Sequence, residues 1–300
     1  MHRKIVSLLM FVACFWAARA EAKLSVVATT PDLAAIASAV GGDRVTVKAL
    51  SLPTQDPHWV DAKPSLALDL SHADLLLAVG AELEIGWLPT LQVGSRNGRV
   101  QVGERGFLDC STLVDLLERP TTKVDRSMGD IHPSGSPHYL LDPRAAERVG
   151  VGIGKRLAEL DPEASAAYLE RTKAFVASLR DARARWQKTL EKLKGRPIVA
   201  YHRSLVYLAD WTGLVVVDHI ESKPGVPPDP RHVAELIALA RQKGARAVVQ
   251  EAFHPTRTSE LVASKLGGKL LRIPGATNFQ GGQGYVAFLD QVLKRLVEGS

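Results

Sequence analysis

The sequence predicts an α/β protein of two lobes, each a small parallel sheet flanked by helices, joined by one long rigid helix. Three observations lead there. At 300 residues the chain exceeds what one small core needs. Short apolar runs alternate with amphipathic helical patterns in both halves, as in parallel sheets covered on two faces. Between the halves lies a single helical stretch, residues 161–195, with nothing that breaks it.

In chain order, MHRKIVSLLMFVACFWAARAEA reads as an export leader: Arg3 and Lys4, an apolar run from Ile5 to Trp16, and small residues ending in Ala18-Arg19-Ala20. Cleavage is expected after Ala20 or Ala22, so residues 1–22 form the signal segment and the mature chain is periplasmic. The apolar run is shorter than the roughly 20 residues of a spanning helix. A lipid anchor at Cys14 is the alternative, but the expected leucine is missing. Residues 23–160 form the first lobe. KLSVVATT, VTVKALS, ADLLLAVG and a weaker VQVGERG are its strands; PDLAAIASAVGG, KPSLALDLSHA and EIGWLPTLQVG are its helices, joined by one that Asp142 caps and Pro143 starts.

The connecting helix, residues 161–195, has Asp161 as N-cap, Pro162 at its first position, Glu163 in its first turn and Gly195 at its end. Leu169, Phe175, Leu179, Trp186 and Leu190 mark its apolar face. At 1.5 Å per residue it would run about 50 Å, the height of both lobes. Two helices split near Ser178 are the other reading. Residues 196–300 repeat the grammar with strands PIVAYH, LVVVDHI, ARAVVQEA and KLLRIPG, and helices SLVYLADWTG, DPRHVAELIALARQKG, TRTSELVASKLG and GYVAFLDQVLKRLVEG.

Charge and cysteines narrow the function. Cleavage after Ala20 removes Arg3, Lys4 and Arg19 and lowers the formal charge from +6 to +3, so no nucleic-acid partner is indicated. Cys110 is then alone, which excludes an intrachain disulfide and a cysteine-based zinc cluster. The glycines of VGVGIGK lack the spacing of a phosphate-binding loop and read as helix-packing glycines.

Three of the nine histidines stand apart. His58 lies in QDPHWVDAKPS after the second strand, His138 in SPHYLLDP before a capped helix, and His202 ends PIVAYH. Each belongs where a strand end or loop meets one face of a sheet, and ligands of open parallel sheets gather in that crevice. The three imidazoles are therefore expected to converge between the lobes, with Trp59 and Tyr139 walling them from water. Neutral imidazoles suit zinc, and three with one oxygen make a tetrahedral set. His72, His219 and His232 read as structural.

These motifs resemble the metal-ion ABC-transporter solute-binding proteins, zinc and manganese receptors of the ZnuA/TroA-like kind. The likeness runs nearly the whole mature chain: SVVATTPDLAAIASAVGGDRVTV resembles the family's opening strand and helix, AYHRSLVYLADWTGL its third ligand motif, and IESKPGVPPDPRHVAEL and VVQEAFHPTRTSELVASKLG its carboxy-lobe elements. It implies that His58, His138 and His202 are metal ligands, and that the partners are an ABC permease and its ATPase subunits. It also implies a monomeric receptor and no enzyme. Manganese receptors tend to carry a carboxylate at the third position, so His202 favours a zinc ion as the transported ligand over manganese.

The fourth ligand departs from the family, whose relatives supply an aspartate after the last strand. Here that loop reads IPGATNFQGGQGY and holds no acid. Glu251 is the first candidate, with a second role as hydrogen-bond partner of a histidine; water and His254 follow. Residues 123–136, where the zinc members often carry a His-rich loop, offer Asp130 and His132 as candidate metal-collecting groups and read as a flexible linker. Arg105 and Glu221 read as solvated charges or docking contacts. The rival readings are a secreted zinc hydrolase with Glu251 as general base, which lacks a His-Glu-x-x-His helix, and a metallochaperone or adhesin-like surface protein on the same fold.

Overall fold

The computed structural model describes residues 23–125 and 128–298. The predicted leader, with Cys14, lies outside the described residues. In the first lobe β1 (Leu24–Ala28), β2 (Val45–Ala49), β3 (Leu75–Ala78) and β4 (Phe107–Asp109) form a parallel sheet of order β2-β1-β3-β4. β3 is the apolar run Leu-Leu-Leu-Ala, buried at every position, because helices cover both faces of the sheet. Those helices are α1 (Pro31–Gly41), α2 (Pro64–Ser71) and α3 (Leu88–Ser95), each with proline in its first turn.

The last strand of this lobe falls later than its weak pattern suggested. Val100 ends a 3-10 turn, and Gly103, at φ +92°, interrupts the extended run, leaving Phe107–Asp109 to pair with β3. Similarly, α3 begins at Leu88 and not near Glu84, because Trp87, at φ −142°, departs from helical backbone just before it.

α4 (Pro143–Leu160), capped by the Asp142 carboxylate on the Arg144 N–H, leads into α5 (Ser165–Leu193). α5 is 29 residues without a break at Ser178, about 43 Å long. Its buried stripe is Tyr168, Thr172, Phe175, Leu179, Ala182, Trp186 and Leu193. Leu169, expected inside, is 44 % exposed; the seam passes through Tyr168, whose hydroxyl donates to Asp161 at 2.9 Å. Asp161 therefore does not cap with its side chain, which also accepts from Arg44 at 2.9 Å, and α5 is entered through a 3-10 turn, Pro162–Ala164. The glycines of α4 let it lie close to α5, since a Cβ on Gly150 would stand 2.5 Å from the Phe175 ring.

Beyond α5 the second sheet repeats the first: β5 (Pro197–Ala200), β6 (Val215–His219), β7 (Ala247–Glu251) and β8 (Lys269–Ile273), parallel in the order β6-β5-β7-β8. α6 (Val206–Thr212), α7 (Pro230–Gln242), α8 (Arg257–Lys265) and α9 (Tyr285–Glu298) surround it. One apolar core runs from Val26 and Leu77 through Phe175, Leu179 and Trp186 to Ile198 and Phe288, so α5 carries core continuously between the lobes. Among the described residues no helix is long and apolar enough to cross a membrane.

Candidate metal centre

The carboxyl ends of both sheets face a shared cleft, and each of the three singled-out histidines reaches it from a different element. His58 sits in the loop between β2 and α2. That loop is held by the Trp87 indole, which donates to the Pro57 carbonyl at 2.9 Å, and by Asp56, whose Oδ1 accepts from the His58 N–H at 3.0 Å. The same Oδ1 lies 2.7 Å from His58 Nδ1. A carboxylate there places the ring proton on Nδ1 and turns the Nε2 lone pair toward the cleft.

His138 precedes a 3-10 turn pinned from both lobes. The Tyr139 hydroxyl donates to the Val79 carbonyl at 2.5 Å, and Tyr285 of α9 donates to the Leu140 carbonyl at 2.6 Å. Tyr139 thus lies fully buried beneath the site and does not wall it, and Trp59, the other expected wall, is 62 % exposed. His202 follows β5. Its Nδ1 lies 2.8 Å from Glu221 Oε2, which also accepts the Gly225 N–H at 3.0 Å. Glu221, read from sequence as a surface charge, is in fact buried and orients this imidazole. The misreading is understandable, since Glu221 follows β6 in an otherwise polar loop and its partner lies 19 residues earlier.

One nitrogen from each of His58, His138 and His202 lies within 4.8 Å of the other two, the geometry of a metal-ligand set. Burial, then the neighbouring imidazoles, hold His138 well below the usual histidine range, so it is a neutral donor at physiological pH. Burial opposes the charge on Asp56, but its bonds to His58 outweigh it and hold the carboxyl at about 2.

Glu251 lines the same cleft at the end of β7, but outside that set of donors. Its Oε2 faces His254 Nε2 at 3.5 Å. Burial works against the charge on both partners, yet their pairing prevails, lowering Glu251 and raising His254 relative to their ordinary values. The His254 ring stacks on Tyr201 at 4.5 Å. The loop after β8, which lacks an acid of its own, borrows one from the other lobe: Asp32 of α1 accepts from the Thr277 N–H at 2.7 Å and from its hydroxyl. Sequence reasoning also passed over Glu84, a fully enclosed carboxylate that accepts from the Thr29 hydroxyl at 2.6 Å and the Val79 N–H at 2.7 Å and so ties together the ends of β1 and β3.

The supposed linker before His138 is not a bystander. His132 Nε2 lies 3.3 Å from His58 Nε2, and the two ring centres are 5.4 Å apart. Reasoning from sequence set this histidine aside, yet it faces a predicted ligand. Its signal was only a histidine locked by a following proline, six residues before His138.

Comparison with known proteins agrees with this architecture. The family model for the zinc-uptake complex component A, periplasmic (ZnuA), matches residues 26–299. The high-affinity zinc uptake system protein ZnuA of Bacillus subtilis is 22 % identical over 91 % of this chain and 86 % of its own length. The manganese ABC transporter substrate-binding lipoprotein scaA of Streptococcus gordonii is 28 % identical over 53 % of this chain and 49 % of its own. Among solved structures, a crystal structure of ZnuA superposes with a TM-score of 0.78 at 24 % identity, covering 92 % of this chain and 99 % of that one. A manganese-bound periplasmic metal-binding protein from Candidatus Liberibacter asiaticus superposes with a TM-score of 0.74 at 20 % identity and the same coverage.

Proposed function

Because this chain belongs to the ZnuA family of metal ABC-transporter solute-binding proteins, which are receptors and not enzymes, we propose that it is the zinc receptor of a high-affinity importer. In this reading the exported protein captures zinc as a monomer in the interlobe cleft and delivers it to a membrane permease driven by separate ATPase subunits. His58, His138 and His202 hold the metal.

The observation that carries the reading is the donor set: three imidazole nitrogens within 4.8 Å of one another, drawn from both lobes. Relatives of this chain include both zinc and manganese proteins, so family alone does not choose the metal. Chemistry favours zinc. Manganese prefers oxygen-rich octahedral surroundings, whereas imidazole suits zinc, and no carboxylate oxygen belongs to this set. Asp56 and Glu221 serve as the outer carboxylates that fix the tautomers of His58 and His202.

The test is an anaerobic titration of metal-stripped protein with zinc and with manganese, in competition with a chromophoric chelator. One tight zinc site, much weaker manganese binding, and loss of the zinc site in His202→Ala are expected. Equal affinity for the two metals would make this a broad divalent-metal receptor, and indifference to His202→Ala would remove the site assignment altogether.

A further inference from the structure

We infer that His132 is the fourth metal ligand and completes an all-imidazole tetrahedron, brought to the cleft by a loop that straps the two lobes together. The inference rests on the three-histidine reading above and adds a residue to it.

The first argument is the orientation of the two rings. Asp56 holds the proton of His58 on Nδ1, so Nε2 presents a lone pair. His132 presents its own Nε2 to that atom at 3.3 Å, and a backbone hydrogen bond at Ala81 engages the His132 ring as well. The His58 lone pair and His132 Nε2 thus face each other, an arrangement that a cation between them would stabilise. Zinc–nitrogen bonds of about 2.0–2.1 Å place neighbouring donors of a tetrahedron roughly 3.3–3.4 Å apart. The separation of the two Nε2 atoms already equals that edge.

The second argument is that the loop is built to hold this position. On the amino-lobe side Ser134 donates its N–H and its hydroxyl to Glu82 at 3.2 and 2.6 Å. On the carboxy-lobe side the Asp130 N–H donates to the Pro224 carbonyl at 2.8 Å. The next residue, Gly225, donates to the Glu221 carboxylate that orients His202. The strap therefore touches both lobes and continues through two residues to the partner of another ligand. Ala81 and Glu82, the amino-lobe anchors, are the two residues at that end of the cleft in left-handed backbone. Strain of that kind persists where surrounding contacts enforce it.

The third argument is that the acids lining the cleft face other groups: Asp56 holds His58, Asp32 accepts from Thr277, and Glu251 faces His254 at 3.5 Å.

The experiment uses the full mature chain loaded with zinc for X-ray absorption and with cobalt(II) for visible spectroscopy. It compares wild type, His132→Ala, His132→Gln and Glu251→Gln. Wild type should show four imidazole scatterers and the intense visible bands of tetrahedral cobalt. Both His132 variants should fall to three imidazoles plus oxygen, with the cobalt spectrum shifted and zinc affinity lowered by at least about 10-fold, the lower end of what losing a mere outer partner costs. Glu251→Gln should leave both spectra as in wild type. Three imidazoles in wild type, unchanged in His132→Ala, would overturn the assignment, as would a spectral change in Glu251→Gln alone. A wild-type protein that binds no zinc would instead defeat the three-histidine reading, so the two failures are distinguishable.

Discussion

At the residue scale, the imidazoles are set by what stands behind them. Glu221 is buried against His202 Nδ1, so Glu221→Gln should weaken zinc binding by about 10–100-fold while leaving the fold intact, as measured by chelator competition beside circular dichroism. An unchanged affinity would mean that the carboxylate does not set the His202 ring for the metal. Protonation gives a second prediction. Burial, then neighbouring imidazoles, keep His138 well below 6.5 and lower His132 to about 3, so neither holds a proton to release near neutrality. Calorimetry at pH 6 in buffers of different ionisation enthalpy should therefore count at most two protons released per zinc. Four would show that the cluster is charged before capture. The three clustered histidines were legible because prolines and strand ends mark loops that converge in a parallel α/β sheet. Glu221 and His132 were not, because what makes them important is a partner far away in sequence.

At the scale of elements, the repeated strand–helix grammar was readable because periodicity survives tertiary packing in long, strongly patterned segments. It blurred at β4, where Gly103 decides the boundary, and on α5, where Tyr168 takes the inward place expected of Leu169. Helix contact depends on small residues. Gly150 on α4 meets the buried Phe175 ring of α5, so Gly150→Val should destabilise the protein by about 1–3 kcal/mol through overpacking, measured by denaturant unfolding. A neutral result would show that α4 and α5 can slide apart, and that α5 is a looser support than its burial indicates.

At the scale of the whole molecule, the lobes share one core and are clasped at the cleft by Asp32 and Thr277. Burial pushes the Asp32 carboxyl up to about 6, against the lowering effect of its two bonds to Thr277. A folded pKa above the ordinary 3.8 means that its contribution is complete below that value and is lost as pH rises through about 6. Stability should thus decline over that window by on the order of 2–3 kcal/mol relative to Asp32→Asn, in parallel chemical denaturation series. Parallel curves would show that the carboxyl is ionised in the folded protein. Shape should change little on loading, because α5 and the continuous core leave no hinge. Small-angle scattering of metal-free and zinc-loaded protein should give superimposable profiles, and a marked compaction would contradict the strut.

That rigidity shifts the burden of discrimination onto the transporter. If empty and filled receptors have nearly one outline, a permease cannot sort them by overall shape and must sense the rim of the cleft. Among the described residues, the strap from Asp130 to Ser134 is one surface there that is hydrogen-bonded to both lobes. On that footing a receptor built this way would announce its cargo through the posture of a few residues, and loosening that strap should make loaded and empty receptors harder for a transporter to tell apart.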